Sequence, residues 1–443
     1  MNDRSRSKVV GIRLEDKSRW ERRVPLVPRD LAALERDHGL RFVVQPSPIR
    51  VYGDDDYRAS GATVQDDLSE AGVVFSVKEV PMDKLLPGRT YAFFAHVIKG
   101  QPYNMPLLKR LLDLGITLID YERITDRQGH RLVKFGHEAG QAGMIDTLWT
   151  LGRRLASAGY PNPFSGLKQA YEYHDLAAAM AAIRTAGEAL AAGYDFGPGG
   201  PLVVGFTGRG SVSQGAQEIF DLLPHETVLP EDLKRVVQRR RRDRIFKVVF
   251  EKHHLARPTD PTRTFVEAEY HQHPERFRER LSEFLPYLGV LVNGIYWTEA
   301  YPRFVRRETV DTLWREGRRR LKVIGDVTCD IDGAVELTYK ATQPDHPVYT
   351  YDPTSGTFTD GLEGPGIAIL AVDNLPCELP RDASDHFSHA LRDFVPAIAA
   401  ADYDVPFEDL DLPSEILAAV VTHRGKLAPE YRYLRQHLDD AGL

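Results

Sequence analysis

The chain has 443 residues, of which 42% are hydrophobic and 27% charged, and its formal net charge is -7. A chain of this length is too long for a single hydrophobic core, so two or three domains are predicted. The negative net charge argues against a dedicated nucleic-acid binder. The two cysteines exclude a disulfide framework and favour a reducing compartment. The N-terminus is polar and no apolar run reaches about 18 residues, so we expect a cytoplasmic protein without a membrane span.

Short apolar runs in the first third of the chain predict the strands of a sheet. The first covers residues 8–12, and the densely charged stretch 13–23 that follows is interpreted as a solvated loop or helix face. Three later runs are continuous and bounded by turn residues, which is typical of buried parallel strands: 72–77, 90–97 and 116–120.

Polar residues lie at the ends of these three runs, namely Lys78 and Glu79, His96, and Asp120 to Glu122. Ligands of open α/β sheets lie beyond the carboxyl ends of the strands, so these side chains are candidates for one site. Lys78 and His96 are the strongest pair, because both can exchange protons near neutral pH once their pKa values are adjusted. The alternative is a surface position for Lys78, which is usual for a single lysine after a strand.

Two long alanine- and leucine-rich helical patterns, 138–159 and 176–193, precede a glycine-rich turn. Residues 202–206 predict a strand, Gly208 and Gly210 a tight turn, and 214–223 a helix. Glycine permits positive φ and close approach of a phosphate, and a helix N-terminus offers free N–H groups. The G-x-G-x-x-G pattern is incomplete, since its third position is a serine, so nucleotide binding and an ordinary strand-to-helix turn both stay open.

Further strands of a second α/β region are predicted at 246–250, 290–292, 321–324 and 366–372, followed by a helix at 383–401 and an amphipathic tail at 415–443. Histidine pairs at 253–254 and 271/273 suggest a metal site, which the lack of a nearby cysteine and of H-E-x-x-H disfavours. The arginine run 239–242 either approaches a 2′-phosphate or forms a solvated helix face, and the solvated face is favoured.

Eight ordered blocks carry a resemblance to a known family. They are GIRLEDKSRWERRVPLVP (11–28), SVKEVP (76–81), TYAFFAHVIKGQPYNMPLL (90–108), IDYERITDRQGHRLVKFGHEAGQAGMID (119–146), FTGRGSVSQGAQEIF (206–220), NGIYW (293–297), DVTCDIDGAVE (326–336) and AVDNLPCELPRDASDHF (371–387). They resemble the lysine-ketoglutarate reductase half of bifunctional aminoadipic semialdehyde synthase, in the alanine dehydrogenase and transhydrogenase superfamily. The resemblance covers nearly the whole chain, whereas the saccharopine-cleaving half has no counterpart in it.

This resemblance implies an α/β fold of two Rossmann-like domains with parallel sheets and a cofactor in the interdomain cleft. The substrate-binding domain is expected at 1–140, completed by 376–443, and the dinucleotide-binding domain at 141–375. The expected acid/base pair and its neighbouring carboxylates are Lys78, His96, Glu79 and Glu122. The residues expected to hold substrate carboxylates are Lys17, Arg23 and Arg131. The expected cofactor positions are Gly208, Gly210, Ser211, Val212 and Asp326, with Ser211 in place of the family's asparagine.

The resemblance implies NAD(P)H-dependent condensation of lysine with 2-oxoglutarate to saccharopine, in lysine degradation and without a metal. NADPH is preferred over NADH, although Glu231 and Asp232 lie about 20 residues beyond Gly208, where NAD sites place an acid. These two residues also read as an ordinary first helical turn. The alternatives are an alanine-dehydrogenase-like enzyme and a catalytically silent nucleotide-binding module, and a homo-oligomer is compatible with each.

Overall fold

The computed structural model describes residues 8–196, 201–239 and 241–443. The chain divides into two compact units. Unit 1 comprises the chain up to Phe135 together with Pro380–Leu443, and unit 2 comprises Gly136–Leu379.

The N-terminal part of unit 1 alternates strands with helices. Its strands are β1 (Val9–Ile12), β2 (Arg41–Val44), β3 (Thr63–Val64), β4 (Val73–Phe75), β5 (Thr90–Phe93) and β6 (Thr117–Asp120). Its helices are α1 (Pro28–His38), α2 (Asp54–Ala59) and α3 (Met105–Asp113), with 3₁₀ turns at Met82–Lys84, Pro102–Asn104 and Tyr121–Arg123.

Unit 2 begins with two long helices and continues as a second α/β region. Its strands are β7 (Val203–Thr207), β8 (His225–Thr227), β9 (Ile245–Phe250), β10 (Ala256–Pro258), β11 (Phe277–Glu279), β12 (Val290–Asn293), β13 (Val323–Asp326), β14 (Val348–Asp352), β15 (Thr357–Asp360) and β16 (Ile367–Leu370). Its helices are α4 (Gly136–Ser157), α5 (Leu176–Ala191), α6 (Ser211–Phe220), α7 (Leu233–Val236), α8 (Lys252–Leu255), α9 (Glu267–Gln272) and α10 (Arg307–Arg315). Its 3₁₀ turns are Pro163–Gly166, Ala170–Glu172, Pro230–Asp232, Pro274–Arg276, Leu281–Glu283, Leu285–Tyr287 and Leu375–Glu378.

The C-terminal segment returns to unit 1. It contains α11 (Pro380–Leu391), α12 (Val395–Ala400), α13 (Ser414–Leu417), β17 (Val420–His423), β18 (Lys426–Leu427) and α14 (Leu434–Asp440), with 3₁₀ turns at Phe407–Asp409 and Pro429–Tyr431. The helix predicted at 383–401 is therefore two helices. The tail predicted to be an amphipathic stretch also contains a strand pair.

The unit 1 sheet has eight strands in the order β18-β17-β6-β5-β4-β1-β2-β3. The strands β1 to β6 are parallel, whereas β17 runs antiparallel to both β6 and β18. The register aligns Ile12 with Phe75, Phe75 with Ala92, and Phe93 with Asp120. The segments that follow β1, β4, β5 and β6 therefore leave the sheet on the same side, at the carboxyl ends of these strands.

The unit 2 sheet also has eight strands, in the order β15-β14-β16-β13-β12-β7-β9-β8. Six of them are parallel, and the hairpin β14–β15 adds two antiparallel strands next to β16. The prediction of parallel sheets is thus confirmed for the centre of each sheet, while each carries an antiparallel edge. Strands β10 and β11 form a separate two-stranded sheet.

Glycines let α4 approach α6 within unit 2. A Cβ on Gly140 would lie 1.9 Å from the Val212 carbonyl oxygen, and one on Gly215 would lie 2.0 Å from the His137 carbonyl oxygen. The two helix backbones therefore touch, which fixes the start of α6 against α4. None of the helices in the described ranges is both long enough and apolar enough to span a membrane.

Candidate active site

The charged segment after β1 is partly buried and contributes to a polar cluster in unit 1. Arg23 donates to both carboxylate oxygens of Glu21, from Nε at 2.7 Å and Nη2 at 2.6 Å, and both side chains are 1% exposed. The Arg23 guanidinium also lies 4.2 Å from the Phe135 ring centroid. Arg13 and Glu15 are buried as well. The prediction of a loop is therefore confirmed, but the loop is only partly solvated, because four of its eight charged residues are buried.

Glu15 holds the residues that follow β4. Its Oε1 accepts from the Ser76 hydroxyl at 2.8 Å and from the Val77 N–H at 2.6 Å, and its Oε2 accepts from the Lys78 N–H at 3.1 Å. Burial and the nearby Glu21 carboxylate raise the pKa of Glu15 to about 7. The backbone that carries Lys78 is thus anchored by a buried carboxyl group.

Lys78 lies among charges at this edge, half-buried rather than at the surface. Burial lowers the pKa of its ammonium group, and the nearby Arg23 and Lys17 lower it further against the opposing effect of Glu21 and Glu79. Its Nζ forms no hydrogen bond with any residue in the described ranges. An amine of this kind can lose and regain a proton closer to neutral pH than an ordinary lysine.

His96 lies between two carboxylates. Its Nε2 is 4.0 Å from Glu79 Oε1 and its Nδ1 is 3.4 Å from Glu122 Oε1. Each carboxylate also meets a cation, since Lys17 Nζ donates to Glu79 Oε2 at 2.7 Å and Arg131 Nη2 lies 3.2 Å from Glu122 Oε1. We call these five residues, Lys17, Glu79, His96, Glu122 and Arg131, the histidine cluster.

The residues predicted for the acid/base and substrate-binding site in unit 1 lie near one another in the structure. Lys78 and His96 share Glu79 as a neighbour, but no hydrogen bond or ion pair joins them directly in the part of the chain that the structure describes. Lys17 and Arg131 are about half exposed, with side chains 50% and 45% accessible. Arg23, predicted to hold a substrate carboxylate, is buried and paired with Glu21. Lys17 and Arg131 are therefore the more accessible of the three predicted substrate-binding cations.

The carboxylates beneath His96 differ in protonation. Burial alone would raise the pKa of Glu122, but hydrogen bonding and charge from His96, with Arg131 and Lys99, hold it below its ordinary value. Asp120 is fully buried, and burial and the adjacent Glu122 raise its pKa to about 7. Glu122 is therefore ionised at neutral pH, whereas Asp120 titrates closer to neutral pH than an ordinary aspartate.

The backbone of His96 is itself unusual. Its φ is 55°, in the left-handed region that costs energy for a residue other than glycine. The Asn104 side chain donates to the His96 carbonyl oxygen at 2.7 Å, and the imidazole is nearly parallel to the Phe94 ring, 12° between planes. These contacts hold the ring in place on a strained backbone. Strained backbone of this kind is common at functional sites.

The glycine turn of unit 2 joins β7 to α6. Gly208 has a φ of 74° and its N–H donates to the Phe250 carbonyl oxygen at 2.8 Å, whereas Gly210 has an ordinary φ of -72°. A Cβ on Gly210 would meet no atom within 4 Å. The turn therefore leaves open space before the first N–H groups of α6, at Ser211 and Val212, where a phosphate can bind.

Asp326 ends β13 in a buried hydrogen-bond network. Its Oδ1 accepts from Asn293 at 2.8 Å and its Oδ2 from the Thr338 hydroxyl at 2.5 Å, while Asn293 in turn accepts from Thr207 at 2.8 Å. Burial raises the pKa of Asp326 despite these hydrogen bonds. Asp326 thus links the carboxyl ends of β7, β12 and β13, and is 1% exposed.

One residue that sequence reasoning missed is Glu251. In the sheet, β9 and not β8 lies beside β7, with Phe250 opposite Thr207, so Glu251 directly follows the strand next to the glycine turn. Its Oε1 lies 2.6 Å from Nη2 of Arg209, the residue between the two glycines. The spacing candidates Glu231 and Asp232 follow the edge strand and contact His254 and Arg235 instead. Only the strand order could reveal this position.

The remaining sequence hypotheses concern charged side chains elsewhere in unit 2. His271 contacts Lys252 and Tyr301, and His254 contacts Glu231. Among the described residues, no group of three or more His, Cys, Asp or Glu side chains is arranged to hold a metal ion. Of the arginine run, Arg239 pairs with Glu226 and Arg242 with Asp195, while residue 240 lies outside the described residues.

Comparison with known proteins agrees with this architecture. Residues 11–142 match the family model "Alanine dehydrogenase/PNT, N-terminal domain" and residues 275–430 match "Alanine dehydrogenase/PNT, C-terminal domain". An alpha-aminoadipic semialdehyde synthase of Arabidopsis thaliana is 38% identical over 96% of the chain. The chain spans only 41% of that relative's length.

Two further matches cover nearly the full length of both proteins. A "Saccharopine dehydrogenase [NAD(+), L-lysine-forming]" of Emericella nidulans is 27% identical over 87% of this chain and 90% of its own. The solved structure of an L-alanine dehydrogenase covers 98% of this chain and 99% of its own, with a TM-score of 0.61 and 17% identity, and shows the same fold. With both family models matched in order, the chain belongs to the alanine dehydrogenase/PNT family, and its fold is that of two Rossmann-like α/β domains.

Proposed function

We propose that the chain is a lysine-2-oxoglutarate reductase, which joins L-lysine to 2-oxoglutarate and reduces the product to saccharopine with NAD(P)H. The observation that carries this proposal is Lys78 beside the histidine cluster, in a chain similar to an aminoadipic semialdehyde synthase and to a lysine-forming saccharopine dehydrogenase. The reaction forms a carbon–nitrogen bond and expels water, so it needs groups that move protons on both sides of the carbonyl.

Lys78 and His96 suit these two proton transfers. Lys78, with its lowered pKa, would take the proton that the substrate amine loses as its nitrogen attacks the ketone carbon. His96 would protonate the former carbonyl oxygen so that it leaves as water, and Glu122 would stabilise the imidazolium before that transfer. Groups with pKa values near the working pH do this most efficiently.

Substrate carboxylates would bind the two exposed cations of the histidine cluster. Arg131 offers a planar fork that matches a carboxylate, and Lys17 offers a single ammonium group. Each is already hydrogen-bonded or paired to a carboxylate of the protein, which holds it in place before the substrate arrives. Arg23 would act indirectly, through its charge near Lys78.

The glycine turn fits a dinucleotide. Gly210 needs no special φ and no protein atom lies near its missing Cβ, so the space is free for a pyrophosphate at the start of α6. Gly208, Gly210, Ser211 and Val212 would hold that group, and Asp326 would order the neighbouring strand ends. When bound, the nicotinamide supplies the hydride that reduces the imine carbon.

The choice between NADPH and NADH rests on opposing observations. The resemblance to bifunctional synthases favours NADPH, which stays a prediction. Glu251 supports NADH, because a carboxylate at the end of the strand beside the turn accepts from ribose hydroxyls and repels a 2′-phosphate. Arg209, which pairs with Glu251, is the cation available to a 2′-phosphate.

Purified protein should oxidise NADPH or NADH only when lysine and 2-oxoglutarate are both present, and saccharopine should be identified by mass. Pyruvate with ammonia serves as the parallel assay, because an alanine dehydrogenase has the same fold. Equal turnover of that pair would replace the proposal with an amino acid dehydrogenase. Cofactor binding without turnover of either pair would indicate a silent nucleotide-binding module. A cytoplasmic location and a homo-oligomer stay predictions.

A further inference from the structure

A cavity of about 510 Å³ lies in unit 2 at the end of the sheet opposite the glycine turn. Leu202, Gly289 and Lys322, which line it, precede β7, β12 and β13 respectively. Because these strands are parallel, the cavity is at their amino ends, whereas Gly208 and Asp326 are at or beyond their carboxyl ends. The cavity therefore belongs to neither the glycine turn nor the histidine cluster.

Three cations are partly buried beside this cavity: Arg154, Arg320 and Lys322. Arg320 donates from Nη2 to the Pro201 carbonyl oxygen at 2.7 Å, while its Nε is buried without a hydrogen-bond partner in the described chain. Arg154 donates to the carbonyl oxygens of Leu362 and Gly366. Burial lowers the pKa of Lys322, and the charges of Arg154 and Arg320 lower it further.

These three cations lack a carboxylate partner among the described residues. None of them forms an ion pair with any residue that the structure describes, and the segment between Phe196 and Pro201 consists of glycine and proline. Neighbouring arginines are different, since Arg318 lies 3.7 Å from Glu316 and Arg319 lies over the Trp314 ring. Glu363 lines the adjoining cavity, which Arg154 and Lys322 also line, yet it is exposed and forms no ion pair with them.

A cluster of like charges that is partly removed from water is unfavourable unless an anion compensates it. Arg318 and Arg319 also line the cavity, and much of the remaining wall is apolar and includes Leu151, Leu155 and Pro286. A bare inorganic ion would pair with the cations but leave the apolar part of the wall exposed to water. A ligand with an anionic head and an apolar body would satisfy both parts.

We propose that this cavity binds a small amphipathic organic anion, with its carboxylate or phosphate head on Arg320 and Lys322 and its apolar body along Leu151, Leu155 and Pro286. Arg154 supplies further positive charge at the head. The site lies on the same strands whose opposite ends carry the glycine turn, and it is independent of the reaction proposed for unit 1.

Isothermal titration calorimetry on the full chain tests this proposal with four probes: octanoate, octyl phosphate, octanol and inorganic phosphate. The first two distinguish a carboxylate head from a phosphate head. We expect at least one of them to bind with 1:1 stoichiometry and at least tenfold more tightly than inorganic phosphate, and octanol not to bind. Failure of both octyl anions to bind would overturn the proposal, as would equal affinity for octanol.

Lys322→Met tests the location, with Arg318→Gln as the matched control because Arg318 lines the same cavity but is exposed and paired. We expect Lys322→Met to weaken the octyl anion at least tenfold and Arg318→Gln to change affinity less than threefold. Unchanged affinity in Lys322→Met would overturn the assignment.

Thermal unfolding separates loss of binding from loss of folding. Without ligand, Lys322→Met should melt at or above the wild-type temperature, because it removes a repelled and partly buried charge. With an octyl anion, the wild type should melt at a higher temperature and Lys322→Met should not. If Lys322→Met yields no folded protein, Arg320→Gln replaces it, and retention of the ligand-induced rise in that variant would overturn the proposal.

Discussion

Single residues decide the chemistry proposed for unit 1. Lys78 has a pKa lowered by burial and by Arg23 and Lys17, and His96 lies between Glu79 and Glu122. In the proposed reaction, Lys78 would accept the amine proton and His96 would donate a proton to the carbonyl oxygen. The two residues are linked through Glu79, so we expect their contributions to be coupled.

Lys78→Met and His96→Gln should each lower kcat by about a hundred- to ten-thousand-fold, the usual contribution of a general acid or base. The double variant should lose less than the product of the two factors, because both residues serve one proton path. Cofactor affinity should barely change. The measurement is kcat against pH for all four proteins, with Lys84→Met, an exposed lysine on the same connection, as control. Single variants that keep more than about a tenth of wild-type kcat would remove these residues from the mechanism.

Glu251→Ser should raise the ratio of kcat/KM for NADPH over NADH by about tenfold, roughly 1.4 kcal/mol, because it removes a carboxylate that repels a 2′-phosphate and frees Arg209. Glu231→Gln is the matched control, since Glu231 follows the edge strand. Steady-state kinetics with both cofactors give the ratio. A shift in Glu231→Gln with none in Glu251→Ser would show that the spacing rule, and not the strand order, locates the ribose.

At the scale of elements, the turn between β7 and α6 contains two glycines that differ in backbone conformation. Gly208 is required by its φ of 74°, whereas Gly210 has an ordinary φ and open space around its Cα. The protein alone therefore explains the first glycine and does not explain the second. The phosphate of the proposed cofactor would explain the second, because a Cβ would hold it away from the backbone.

Gly210→Ala should keep the melting temperature within about a degree of wild type, since the backbone is unstrained, but should weaken NAD(P)H binding at least tenfold. Gly208→Ala should instead lower stability by about 1 kcal/mol, because alanine is disfavoured at positive φ. Fluorescence titration of the reduced cofactor and thermal unfolding provide the two readouts. Unchanged affinity in Gly210→Ala would mean that the pyrophosphate lies elsewhere.

At the scale of the whole molecule, buried carboxyl groups set the pH dependence of stability. Burial raises the pKa of Glu15, Asp120 and Asp146 to about 7, and burial with the nearby Asp146 raises that of Glu378. In unfolded chains such groups titrate near pH 4. At these four groups the folded state therefore binds more protons than the unfolded state between about pH 4 and 7, so their contribution to the free energy of unfolding falls as pH rises through that window.

Asp146→Asn should reduce this fall, because the asparagine can still accept from the Ala170 N–H and can donate to Glu378 without charge. We expect the loss of unfolding free energy between pH 5 and pH 8 to be smaller by on the order of 2 kcal/mol than in the wild type. Denaturant unfolding at several pH values measures it, with the exposed Glu188→Gln as control. An identical pH profile in Asp146→Asn would show that the pair is not protonated in the folded state.

Residue patterns predicted the elements that depend on residues close together in the chain. The continuous apolar runs gave β4, β5 and β6 to within a few residues, and the glycines gave the turn between β7 and α6, because burial on both faces and positive φ leave a direct record in residue type. The strand β17 was missed, since its partner β6 lies some 300 residues away in the chain, and β18 was missed with it because β18 pairs only with β17 among the described strands. Register with a distant strand leaves no periodic signal in a short segment.

The sequence by itself determined that two α/β regions are present, that Lys78 and His96 end neighbouring strands, and that a glycine-rich turn follows β7. Tertiary structure decided which charges are buried and which strands are neighbours. It placed Arg23 against Glu21, set Glu15 beneath Lys78, and put β9 beside β7 so that Glu251 reaches Arg209. The physical reason is that burial and strand order depend on contacts between distant segments, whereas residue type and spacing report only on neighbours in the chain.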